Sequence, residues 1–243
     1  MLCVIPVLFI GVATCQQQPA AAGRLYFDRS HGEFPPPGPL GAIAGKLNLE
    51  LVKMEEPVSA ATLQGSRLLY LRAPSKTFSN AEKEAIVDFV KGGGSLLLVL
   101  DEEKRQSLAT TGANDFLAPF GMRLTPDTPY IPNAGAIAKA GEINRSDREI
   151  PYDGGRSVEG GTPFAFQLDR DGKPAQPYAA WKKVEGGGRI VVLAEGMASL
   201  FLGSAQGRRL TAVNDNGMDL YWGKDSTIFM EEVLSWLARQ PRQ

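Results

Sequence analysis

Histidine occurs once in the 243 residues, as His31, and cysteine twice, as Cys3 and Cys15. Past residue 31 the chain has neither. That excludes a Cys₄ or Cys₂His₂ zinc site, an internal disulfide framework and a Cys-His nucleophilic pair from the main body. A Ser-His-Asp arrangement could be built in only one way, through His31. Neither sign of charge is in excess: 26 basic residues face 27 acidic ones, for a net charge of −1. No global field draws in nucleic acid or an acidic membrane, so no nucleic-acid partner is expected. With 43% hydrophobic and 22% charged residues the composition is globular, and the length suits one α/β domain.

Charge is missing altogether from residues 1–15, MLCVIPVLFIGVATC. Their apolar run is too short to cross a hydrocarbon core of about 30 Å as a helix. Its length, with Gly11, Ala13 and Thr14 before Cys15, fits a signal h-region and cleavage site, although no Lys or Arg precedes it. Val12-Ala13-Thr14-Cys15 also resembles a bacterial lipoprotein box, with Thr14 where Gly, Ala or Ser is common. Cys15 is then the candidate lipidation site and residues 16–23 (QQQPAAAG) a tether. Residues 24–239 would form a single exported domain, periplasmic or held on a membrane surface. A buried N-terminal strand with two inert cysteines is the alternative.

From Arg24 the pattern changes. Arg24–Asp28 reads as a buried strand feeding the polar loop Asp28-Arg29-Ser30-His31-Gly32-Glu33. Phe34–Gly41 (FPPPGPLG) can be neither helix nor central strand, because its prolines lack donors. A short helix over 40–47, strands over Leu49–Met54 and Arg67–Leu71, and a helical turn over 59–63 follow. Ser79 or Thr77 caps a helix over Asn80–Lys91, with Ala81, Ala85, Ile86, Phe89 and Val90 inward and Glu82 and Glu84 in the first turns. Gly92-Gly93-Gly94 stops it. Ser95–Leu100 (SLLLVL) is a continuous apolar strand of the kind buried in parallel sheets.

Residues 105–121 read as helix with a loop, and 122–156 show no clear period: a functional loop or short strands. Thr162–Leu168 and Gln176–Val184 alternate about a turn at Asp169–Gly172, a hairpin. Gly186–Gly188 leads to the buried strand Arg189–Ala194, and Ser226–Arg239 is an amphipathic helix with Ile228, Phe229, Val233, Trp236 and Leu237 inward. The fold class is α/β, a doubly wound, mostly parallel sheet with an added β-hairpin.

In such sheets ligands bind beyond the carboxyl ends of the strands, near the topological switch point. With strand order 2-1-3-4 and the last strand beside the fourth, those ends form one polar rim. The candidate ligand-binding residues are Asp28, Ser30, His31, Glu33, Arg72, Ser75, Asp101, Glu102 and Glu195. Asp28, His31, Asp101 and Glu195 together could serve acid/base chemistry or hold a hard cation. Strand ends meet water and are polar in any case, so position alone assigns no catalytic residue. His31 reads either as a loop histidine bonded to a backbone carbonyl or as a proton shuttle or ligand contact. No metal site and no cofactor is assigned. Asn214–Gly217 reads as a turn, the glycine triplets as terminators rather than phosphate loops, and Trp181, Tyr221 and Trp222 as packing residues before sugar-stacking ones.

Taken in order, these pieces resemble the GIFT-type domains of the intraflagellar-transport and gliding-motility group, class I glutamine-amidotransferase-like domains with bacterial relatives of unassigned function. The resemblance rests on Phe27–Glu33 closing the first strand and on Lys76-Thr77-Phe78-Ser79 leading into Ala81–Val90. Gly92–Gly94 and Gly188–Leu193 before Trp236-Leu237 continue it, over most of 24–239. It implies a flavodoxin-like fold, without amidotransferase chemistry. The catalytic cysteine would follow Ser95–Leu100, where this chain has Asp101-Glu102-Glu103, and no downstream His-Glu pair exists. The resemblance implies a non-catalytic domain that binds a protein partner or a small-molecule or carbohydrate ligand. The alternatives are a hydrolase acting at the rim and an accessory subunit of a membrane transporter.

Overall fold

Strands without polar residues need cover on both faces, and the most apolar strands of this chain lie at the centre of its sheet. The computed structural model describes residues 23–129, 135–152, 154–200, 202, 212–213, 219–220 and 223–239. The chain runs through β1 (Gly23–Asp28), α1 (Leu40–Lys46), β2 (Leu49–Met54), β3 (Ser66–Arg72), α2 (Asn80–Lys91) and β4 (Ser95–Val99). Next come α3 (Leu108–Thr111), α4 (Ala113–Leu117), β5 (Arg123–Asp127), β6 (Ala136–Ala138), β7 (Arg148–Ile150) and β8 (Arg156–Glu159). The hairpin β9 (Thr162–Leu168) and β10 (Pro174–Lys183) precedes β11 (Arg189–Leu193), α5 (Met197–Leu200), the short pair β12 (Ala212–Val213) and β13 (Asp219–Leu220), and α6 (Ser226–Ala238).

Nine strands form one sheet in the order β2-β1-β3-β4-β11-β10-β9-β6-β7. The first five are parallel, the expected 2-1-3-4 order with the last parallel strand beside the fourth. Alternate side chains feed two cores. Leu68, Tyr70, Leu97, Val99, Val191 and Leu193 pack with α1 and α6 on one face. Leu69, Leu71, Leu96, Leu98, Ile190 and Val192 pack with α2 and α4 on the other. This is the doubly wound α/β arrangement, and it explains why β4 has no polar side.

The structure bears out some expectations and corrects others. Gly23, assigned to the tether, is the first residue of β1. The added hairpin is present and joins the sheet: β10 pairs with β11, and β9 with β6, so it carries the sheet onward in antiparallel sense. Residues 122–156 hold four short strands, two at the far edge of the sheet and two, β5 and β8, paired apart from it. Runs of three to five residues are too short to display a period of two. On α2, Ala81 is exposed and Glu82 is buried in line with Ile86 and Val90. On α6, Ile228 is only half-buried, while Met230 and Leu234 are buried. Residues 214–217, Tyr221 and Trp222 lie outside the described residues. Trp181 packs against Trp236 with ring centroids 5.3 Å apart.

The two glycine triplets meet. A Cβ on Gly188 would lie 2.0 Å from the Val90 carbonyl oxygen and 2.9 Å from that of Gly94, and one on Gly186 would lie 2.3 Å from that of Lys91. The end of α2 and the turn before β11 therefore touch backbone to backbone, which sets β4 beside β11. Gly188→Ala is expected to cost about 1–3 kcal/mol through overpacking. Gly45→Ala, in open space on the exposed side of α1, should gain about 0.5–1 kcal/mol of helix propensity. Urea denaturation midpoints moving in opposite directions would bear out both assignments.

Candidate functional site at the carboxyl ends of the parallel strands

The strand order reverses direction between β1 and β3, so the crevice of this fold opens beyond Asp28 and Arg72. Asp28, the last residue of β1, folds the following loop around itself. Its Oδ1 accepts from the Ser30 amide at 3.0 Å and the Ser30 hydroxyl at 2.7 Å. Its Oδ2 lies 2.7 Å from His31 Nδ1. The other ring nitrogen, Nε2, lies 3.0 Å from Oε1 of Glu82. The ring stacks on Phe78, centroid to centroid 3.7 Å, and is 4% exposed.

Glu82 is placed by a capping box: the Ser79 hydroxyl accepts from the Glu82 amide, and the Glu82 carboxylate accepts from the Ser79 amide at 2.8 Å. Its Oε1 also accepts from the Val58 amide. The Ser79-x-x-Glu82 spacing was legible in the sequence as a helix start. Its inward contact with His31 was not, because that depends on β1 lying beside the start of α2.

Glu33 completes the group. Its Oε2 accepts from the His31 amide at 2.9 Å, and its buried Oε1 has no hydrogen-bond partner among the described residues. Burial first, then the neighbouring Asp28 carboxylate, push the Glu33 carboxyl up to about 9. Burial also works against the Asp28 charge, but contacts with His31, Glu33 and Ser30 outweigh it and hold that carboxyl below its ordinary value. The loop is pinned to the end of β3 by the Ser75 and Lys76 amides, which both donate to the His31 carbonyl. Gly32 sits there at φ +78°, where a Cβ would lie 2.5 Å from Ser75 Oγ. Ser75 itself is exposed.

Ser30, His31 and Asp28 do not make a hydrolytic triad. In a triad the nucleophile and the acid bond opposite ring nitrogens. Here Ser30 Oγ, at 2.9 Å, and Asp28 both face Nδ1, and Nε2 faces Glu82.

Arg72 is buried, donating from Nε to Ser199 Oγ at 2.8 Å and from Nη1 to the Pro35 carbonyl at 2.9 Å. Tyr70 shares the same hydroxyl at 2.6 Å. The guanidinium lies 5.8 Å from the ring of Phe34, which is 57% exposed.

Asp101, Glu102 and Glu195 belong to a different part of the rim. The donor atoms gathered within 4.8 Å of one another are those of Asp28, His31 and Glu33, and neither Asp101 nor Glu195 is among them. The expected joint acid/base group of Asp28, His31, Asp101 and Glu195 is thus not assembled. Each carboxylate sits at the end of its own strand and the loops fold it inward locally. Glu195 is buried and accepts from the Met197 amide. Burial, then the adjacent Glu102, push the Asp101 carboxyl up to about 8. Glu102 falls to about 2: burial opposes its charge, but Asp101, its own amide and Arg105 outweigh that.

Beneath this turn lies Arg156, fully buried, which the sequence did not single out. Its Nε donates to the Asp101 carbonyl, and its Nη2 to the Gln106 carbonyl and the Glu103 carboxylate. Cys15 lies outside the described residues.

The fold and this site define a flavodoxin-like α/β domain with a carboxylate–imidazole cluster after β1 and an acidic turn after β4. A model of the IFT52 GIFT domain matches residues 40–130, from α1 to just past β5. Among solved structures, the mmIFT52 N-terminal domain is similar with a TM-score of 0.66 at 17% identity, over 90% of this chain and 99% of that one. The cytoplasmic protein STM1381 from Salmonella typhimurium LT2 is similar at 0.51 and 14%, over 71% and 87%. A Thermoplasma acidophilum protein described as a GMP synthase component is similar at 0.50 and 9%, over 89% and 94%. No curated protein matches the sequence. The chain carries the GIFT-type, amidotransferase-like fold that the sequence resembles.

The Asp101 carboxyl is neutral when folded and ionised when unfolded between about pH 4 and pH 8. The native state binds the extra proton over that window, so stability falls as pH rises through it. Glu102 acts in the opposite sense, but only below its ordinary value of 4.5. Asp101→Asn keeps the neutral form and should lessen the decline, leaving the part that the Glu33 carboxyl contributes in the same sense. Urea midpoints at pH 5 and pH 8 test this: an equal drop in wild type and variant would contradict it.

Proposed function

We propose that the chain is a non-catalytic binding domain of an exported protein, tethered through Cys15, that recognises a protein partner at the carboxyl-end rim. One observation carries the non-catalytic reading: the sole histidine has a carboxylate at each ring nitrogen, Asp28 and Glu82, and its ring face is covered by Phe78. A general base must present a nitrogen within reach of substrate, and neither nitrogen here is presented. The partner surface is assigned to Phe34. A large aromatic side chain standing in solvent beside a buried arginine, on a proline-rich segment that cannot collapse into helix, has the chemistry of an interface anchor. Export follows from the uncharged first fifteen residues and the polar spacer after Cys15.

Photo-crosslinking in intact cells tests the surface. p-Benzoylphenylalanine at position 34 should give a discrete adduct that the same probe at the exposed Gln64, at the opposite end of the sheet, does not. Identical adducts from both positions, or none from position 34, would count against the rim. For the tether, the mature N-terminus should be an acylated Cys15 by mass spectrometry. An unprocessed Met1 would remove that part of the proposal.

A further inference from the structure

We infer that Asp28, His31 and Glu33 form a binding site for one divalent transition-metal ion of the Zn²⁺ class, with Glu82 orienting the imidazole. Three independent features of the geometry lead there. The first is the donor set: one imidazole nitrogen and two carboxylates, all buried, with donor atoms within 4.8 Å of one another. A tetrahedral Zn²⁺ with bonds of 2.0–2.2 Å holds its ligands about 3.4 Å apart. The Asp28–His31 pair, now at 2.7 Å, would open slightly, and the remaining separations would close from at most 4.8 Å. Rotations of side chains on a short loop supply such movements.

The second feature is Glu33. A carboxyl group that is 5% exposed and has one oxygen without a hydrogen-bond partner among the described residues is costly to bury. A cation in the corner between Glu33 and Asp28 would satisfy that oxygen and hold both groups in the carboxylate form. The third is the far side of the ring. Metal-ligating histidines donate their other N–H to a carboxylate or carbonyl, which fixes the tautomer and the ring plane. With Nδ1 turned to Asp28 and given to the ion, an Nε2–H of His31 would point at Glu82 Oε1, 3.0 Å away, and Glu82 is itself held by the capping box and the Val58 amide. Stacking on Phe78 fixes the ring from its face.

The mixed nitrogen and oxygen set favours a borderline ion such as Zn²⁺ over Mg²⁺ or Ca²⁺, which prefer oxygen alone. Three protein ligands leave a fourth position, and the exposed Gly32 and Ser75 border the cluster on the solvent side. The inference does not rest on partner binding: cross-linking reads Phe34, and metal binding reads His31 and Glu33.

Because His31 is the only histidine, ¹⁵N-histidine labelling gives one pair of ring-nitrogen resonances and reads the site without mutation. Zn²⁺ added to the untagged, chelator-stripped full chain should shift the Nδ1 resonance most and saturate at one ion per chain. Calorimetric Zn²⁺ affinity should fall more than tenfold in Glu33→Gln. It should fall roughly 10–100-fold in Glu82→Gln, as loss of an orienting carboxylate does. Circular dichroism of each variant should remain that of wild type. Ring resonances that ignore Zn²⁺ would overturn the inference, as would Zn²⁺ binding unchanged in Glu33→Gln. Stronger binding of Mg²⁺ than of Zn²⁺ would overturn the assignment to this class of ion. A Glu33→Gln protein that fails to fold leaves the wild-type His31 resonances to decide.

Discussion

A single imidazole joins the first strand to the first long helix. His31 lies between the carboxylate that ends β1 and the carboxylate that caps α2, with its face on Phe78, which in turn meets Phe116 of α4 edge-on. Three elements from distant parts of the chain, β1, α2 and α4, are aligned through that ring. Burying two or three ionisable groups is costly unless each is bonded. The conformation of the loop 29–33, its docking on β3 and the entry angle of α2 all follow from the need to satisfy them. The Ser30 hydroxyl and the amides of His31, Ser79 and Val58 supply donors where water would otherwise be required.

The second carboxylate region solves a similar problem by other means. After β4 the chain must turn, and the turn carries consecutive acids, Asp101-Glu102-Glu103. Asp101 and Glu102 differ in ionisation because burial disfavours two adjacent charges: the deeper group keeps its proton and the one near Arg105 gives it up. Arg156, reaching in from β8, satisfies the carbonyls of Asp101 and Gln106 from below. The turn is thus held by hydrogen bonds to backbone and shows no strained residue of positive φ at Asp101. Positive φ at a non-glycine residue occurs at Asn48, between α1 and β2, and at Ala73, just after β3 at the switch point. Backbone strain of that kind is characteristic of functional corners, and at Ala73 it coincides with the loop that pins His31.

Much of the fold was legible because its signals are local. SLLLV and RIVVL announce strands covered on both faces, Ser79 ahead of Asn80–Lys91 announces a helix start, and the glycine triplets announce terminators. The strands of 122–156 were not legible, since three residues show no period and their pairing is decided by β9 and by one another. Glu82 was legible only as an acid in the first turn, without its inward contact, for a related reason. An acid in the first turn of a helix normally points to water, and only the presence of His31 across the gap makes the inner face the better place for it.

What the sequence determined by itself is therefore the alternation of strand and helix, the polar character of each strand end, and the scarcity that leaves one histidine for any chemistry. Those are properties of short stretches, set by periodicity, propensity and residue type. Which strand ends act together was decided only in three dimensions. The β1 loop, the end of β3 and the start of α2 converge because β1 lies between β2 and β3, while Asp101 and Glu195 stay with β4 and β11. Contacts among buried charged groups depend on distances of a few ångströms between residues about fifty positions apart in the chain, as His31 and Glu82 are. No local pattern encodes such a distance; it is the packing of the sheet against α2 that sets it.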